Sequence, residues 1–112
     1  MPLLTPTDPN DPMQQSITVY VSIGNTDGKL SPAEWAAFYR ATGETIARRS
    51  IRMHGAWHSI PATPYSNACW AVDVYLFDVR LFKDELRQLA AQFRQDSIAW
   101  APATTEFLTP TE

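Results

Sequence analysis

The chain has 112 residues, enough for one domain with a real core, and its 45% hydrophobic and 19% charged composition with four tryptophans is globular rather than disordered. A formal charge of -3 and a pI near 5.3 provide no basic field for gripping nucleic acid or an anionic membrane, so both are disfavoured as partners. One cysteine, Cys69, cannot pair within the chain, the start has neither a basic nor an apolar leader, and no apolar stretch approaches the ~20 residues that span a bilayer; a cytoplasmic, non-membrane protein is expected.

Residues 1–15 contain Pro2, Pro6, Pro9 and Pro12 with Asp, Thr and Asn between them, which reads as a disordered arm. From Ser16, "ITVYVSI" alternates Ile17, Val19, Val21 and Ile23 against Thr18, Tyr20 and Ser22, the period of a half-buried strand. "GNTDGK" turns the chain. A helix then begins with Ser31 as N-cap, Pro32 in the first turn, Glu34 completing a capping box and Leu30 stapling onto Trp35. Trp35, Phe38, Thr42 and Ile46 form its buried stripe, Gly43 is a point of bending or fraying, and Arg48 and Arg49 suit the C-terminal end of the dipole.

"IRMHGAWHS" alternates again, with Ile51, Met53, Gly55 and Trp57 facing inward and Arg52, His54, Ala56 and His58 facing outward. "IPATPYS" is a hairpin loop, and "NACWAVDVYLF" returns as a strand with Ala68, Trp70, Val72, Val74 and Leu76 inward. A second helix follows with Asp78 as N-cap and Phe82, Leu86, Leu89 and Phe93 on one stripe. "SIAWA" closes as a short strand stopped by Pro102, and Phe107 and Leu108 are placed to pin the following segment onto the body; residues 109–112 are a flexible tail.

The order strand, helix, strand, strand, helix, strand is the split βαβ pattern of an α+β, ferredoxin-like domain over residues 16–108. It has a four-stranded antiparallel sheet, the first and third strands central, and two helices covering one face. The uncovered face is the candidate site. Continuous alternation along the hairpin fits a register that pairs His58 with Cys69, His54 with Asp73 and Arg52 with Tyr75; a slip of two residues is possible, but a slip of one would invert both faces. Tyr20 joins them from the neighbouring strand, so Tyr20, Arg52, His54, His58, Cys69, Asp73 and Tyr75 are the candidate binding residues.

Their chemistry sets limits. His54 and His58 lie four residues apart, roughly 13 Å along a strand, too far to share a metal, and no metal or cofactor is expected. Cys69 has a histidine nearby but no third group to orient it, so no catalytic residue is assigned. A His54–Asp73 pair suits acid–base work but more often satisfies two polar groups on a sheet. Tyr20 and Tyr75 resemble, in layout alone, the aromatic platform of RNA-recognition-motif domains; the glycine and aromatic pattern of that family is missing from "CWAVDVYLF". "GNTDGKLS" lacks phosphate-loop spacing and reads as a plain turn.

The stretches "VSIGNTDGKLSPAEWAAF" and "RQDSIAWAPATTEFL" resemble segments of small uncharacterised bacterial and phage proteins of ferredoxin-like type. That resemblance implies no activity; it implies accessory roles such as inhibitors, immunity proteins or antidefence factors, which work by binding. The expectation is a non-enzymatic interaction module, a homodimer by pairing of open faces, whose sheet face or hairpin loop engages a protein or small ligand. Two alternatives stand beside it: an enzyme resembling the dimeric α/β-barrel family, and nucleotide or single-stranded RNA binding on the tyrosines.

Overall fold

Alternation in "ITVYVSI" drives Val19, Val21 and Ile23 beneath the helices, and this strand becomes one of the two central strands of a single sheet. The computed structural model describes residues 12–59 and 66–111. Its elements are β1 (Ser16–Gly24), α1 (Pro32–Arg49), β2 (Arg52–His58), β3 (Asn67–Tyr75), α2 (Val79–Gln92) and β4 (Ala99–Ala103). The strands are antiparallel in the order β2-β3-β1-β4, with both helices on one face, so the α+β, ferredoxin-like arrangement is observed.

Local chemistry explains where α1 starts. The Ser31 side chain accepts from the Glu34 N–H at 3.1 Å while the Glu34 carboxylate accepts from the Ser31 N–H at 3.0 Å, closing the capping box. Asn25 fixes the turn before it, donating to the Leu30 carbonyl at 2.9 Å and accepting from the Leu30 N–H at 3.0 Å. The helix runs unbroken through Gly43, where a bend or fraying was expected. Packing overrides the glycine's weak propensity because Phe38, Thr42, Thr45 and Ile46 on both sides of it are buried.

Between helices and sheet lie Phe38, Ile46, Trp70, Val72, Val74, Phe82 and Leu86, with Trp35, Leu89 and Phe93 packed half-buried around them. Arg48 and Arg49 at the end of α1 hold Glu85 of α2, both at 2.6 Å, and so tie the two helices together. Burial pushes the Glu85 carboxyl upward, but the two guanidinium groups outweigh it and hold its pKa below the usual value.

Several expectations are corrected. Leu76 does not continue β3 inward; it opens a 3-10 turn, Leu76–Asp78, and is exposed. Asp78 makes no side-chain cap bond to α2, because its carboxylate accepts from Arg49 at 3.3 Å instead. Pro102 does not stop β4, which continues to Ala103; an edge strand tolerates proline where the missing N–H points outward. Phe107 and Leu108 are not pinned to the body but are 87% and 85% exposed. Of the arm read over residues 1–15, residues 1–11 lie outside the described residues. Pro12–Gln14 form one 3-10 turn, and the Gln15 carbonyl accepts from the Leu76 N–H at 2.9 Å. Residues 60–65 of the hairpin loop also lie outside the described residues.

Candidate functional site

The open face is built in rows across the strands. One row carries Gly55, Ala71, Tyr20 and Ala101; the next carries Trp57, Cys69, Ser22 and Ala99; on the other side lie Arg52, Asp73, Thr18 and Ala103. Small side chains make the two former rows a flat, uncharged shelf, from which Trp57 and Tyr20 stand out at 54% and 42% exposure.

Trp57 is here because β2 contains a bulge. Met53 is opposite Val72 but Gly55 is already opposite Ala71, so His54 is inserted without a partner of its own. An extra residue turns every side chain beyond it to the other face. Gly55 and Trp57, expected inside, therefore lie on the open face, and Ala56 and His58, expected outside, turn toward the helices. The Trp57 indole lies over Gly55 so closely that a Cβ there would meet its Cζ2 at 2.8 Å. Glycine is needed at this place to let the ring lie flat.

The predicted pairing of the two histidines is thereby corrected. His58 does not face Cys69; it is opposite Ala68 and meets Tyr39 of α1 edge-on at 6.2 Å, beside the stacked rings of Tyr39 and Trp70. Cys69 faces Trp57 and Ser22 instead. Arg52 is opposite Asp73, not Tyr75, and Tyr75 has no partner on β2. Tyr75 is opposite Ser16 and stacks on Phe77 at 5.1 Å. Four residues of β1 separate that position from Tyr20, about 13 Å at strand rise, so the two tyrosines do not form one platform.

His54 and Asp73 do meet. The bulged His54 brings Nε2 within 2.9 Å of Asp73 Oδ1, and Thr18 Oγ1 donates to the same oxygen at 2.7 Å. Partial burial raises the Asp73 pKa, but the hydrogen bonds from Thr18 and His54 and the charges of His54 and Arg52 prevail, leaving the carboxyl below its ordinary value. Arg52, His54, Asp73 and Thr18 thus form a largely self-satisfied polar corner.

Two shallow depressions meet at the opposite end of the open face. One, of about 300 Å³, is lined by Trp57, Ser59 and Cys69; the other, of about 330 Å³, by Asp27, Gln95, Asp96 and Ser97; Ser22, Ile23 and Asn67 border both. Lys29 partly neutralises the acidic end, reaching Asp96 at 3.1 Å and Asp27 at 3.6 Å. Among the described residues no group of three or more His, Cys, Asp or Glu side chains gathers to hold a metal, and no helix is long and apolar enough to cross a membrane. Sequence reading missed Trp57 and this end of the face; the isolated Gly55 inside a strand pattern was the available signal for the bulge.

No protein-family model matches the chain, and no curated protein matches it in sequence.

Proposed function

We propose that the chain is a non-catalytic binding module whose open sheet face seats a partner protein, an accessory role of the inhibitor, immunity or antidefence kind. The carrying observation is the uncharged ground of Gly55, Ala101, Cys69, Ser22 and Ala99, around a buried Ala71, with the Trp57 and Tyr20 rings exposed upon it. Flat apolar ground with large, low-entropy aromatic anchors is the make-up of an interface centre. A protein is favoured over a nucleic acid because the two shelf rows carry no cation and the far end carries Asp27 and Asp96, so phosphates would find little counter-charge there. A catalytic reading finds less support: Cys69 has Trp57, Ala71 and Ser22 around it on the face, and His54 is a bulge away, already bound to Asp73.

A photoreactive residue placed at position 57 or 20 in the native cell should capture a protein of one defined mass, and the same residue at Ala36 on exposed α1 should capture none. With the captured protein purified, Trp57→Ala and Tyr20→Ala should each weaken binding by ~1–3 kcal/mol while the urea melt moves by about 1 kcal/mol or less. Capture from position 36 alone, or unchanged affinity in both variants, would transfer the binding surface to the helical side.

A further inference from the structure

The edge of β4 has a groove, and the segment that follows β4 has the groups to fill it. Trp100 and Ile98 form one wall, Leu86, Ala90 and Ala91 of α2 the other, enclosing about 570 Å³. Lys83 lies over the Trp100 ring at 5.4 Å, and Arg87 borders the same space. Immediately beyond β4, Phe107 and Leu108 are 87% and 85% exposed, next to Glu106. Their own groove lies toward the opposite end of β4, since its lining runs from Gln95 to Trp100 and the segment leaves after Ala103.

Among the described residues no backbone group pairs with the outer edge of β4. Asp73 and Asn67 of β3 give their carbonyls to Ile51 and Ser59 on the β2 side. By alternation Val72 and Trp70 bond toward β1, so their partners Val19 and Val21 turn their amides away from β4. Trp100 and Pro102, opposite Val21 and Val19, therefore project their backbone groups from the free edge, where proline lacks only an outward N–H. A second copy of this chain pairing antiparallel with this edge must present its own even-numbered backbone groups to it.

We propose that residues 104–109 of a second copy form that strand, giving a two-fold dimer in which Thr104 is opposite its own counterpart, Glu106 opposite Pro102 and Leu108 opposite Trp100. Side-chain alternation sends Trp100 and Pro102 to the helix side, so Leu108 of the second copy enters the groove and Glu106 comes up to Lys83. Phe107 emerges on the open side opposite Ala101, in the row of Tyr20. Pro110 ends the pairing, since it cannot donate at the next outward position. The other sheet edge is unsuited to the same use because the bulge at His54 breaks its regular ladder.

Sedimentation of the full chain should show a monomer–dimer equilibrium, and Leu108→Asp should weaken it about 30-fold, the loss of an interface hot spot. Leu108 is exposed in the single chain, so urea melts of this variant at low concentration should match the parent. Thr104→Cys in a Cys69→Ala background should form an interchain disulfide on mild oxidation, because paired Cα atoms lie about 5.5 Å apart across such a ladder. Ala36→Cys in that background should not. A parent that is monomeric at every concentration, a dimer unmoved by Leu108→Asp, a dimer dissolved by Tyr20→Ala alone, or a Thr104→Cys chain that stays uncrosslinked would each overturn the arrangement.

Discussion

Thr42 is fully buried on α1, between Phe38 and Ile46, and its Oγ1 has no hydrogen-bond partner among the described residues. Burying a hydroxyl without a partner costs about 1–3 kcal/mol, whereas an apolar group of the same shape carries no such cost. Valine replaces the hydroxyl by a methyl, keeps the β-branch, and has nearly the helix propensity of threonine. Thr42→Val should therefore stabilise the fold by about 1–2 kcal/mol, with a Tm rise of roughly 4–8 °C per kcal/mol for a domain of this size. Urea melts with an unchanged slope would measure it directly. A loss of stability beyond about 0.5 kcal/mol would mean that the hydroxyl bonds back to the Phe38 carbonyl in solution, as helical threonines can, and that the site is not unsatisfied.

Gly43→Ala, one residue along, should stabilise by about 0.5–1 kcal/mol through helix propensity; the new Cβ would stand 3.7 Å from Trp70 Cζ2, an ordinary contact, so a destabilised variant in the same melt would show that α1 lies closer to β3 than described. Asp73 gives a pH test. Its folded-state pKa is depressed, so its contribution is present above the unfolded value and lost as pH falls through the folded one. Asp73→Asn should be less stable than the parent at pH 7, with the gap closing below about pH 4; a gap constant down to about pH 2 would contradict the Thr18 and His54 bonds to the carboxylate.

The strand and helix periods were legible because one face of each element is buried against a single core. "ITVYVSI" alternates without interruption, and its apolar residues became the floor of that core; the S-P-x-E start of α1 names its own cap. What could not be read were the places where two local rules compete. Asp78 has the chemistry of an N-cap, yet a guanidinium from another helix outbids the backbone, and nothing near Asp78 in sequence announces Arg49. Leu76 continues the alternation of β3 on paper, but the chain must leave the sheet to begin α2, and the 3-10 turn that does so overrides the pattern. Phe107 and Leu108 were expected to be covered by the chain that carries them, because hydrophobicity states that a surface needs cover and not which molecule supplies it.

The open face was harder for a stricter reason. A residue's face in a strand is a parity, so one inserted residue is not a small error but an exchange of every side chain after it. His54 is that residue, and it divides the hairpin: before it, Arg52 and Asp73 share the open face as charge logic requires, and after it the histidine and tryptophan change places. The exchange separates the two histidines, one held by Asp73 on the open face and the other exposed beside Tyr39 on the helix side of the sheet. It also sets an indole on a glycine in the middle of a row of small residues. A half-exposed tryptophan on such ground is unfavourable to leave in water and favourable to cover, which is what supports the proposed binding surface around Trp57 over one around the histidines.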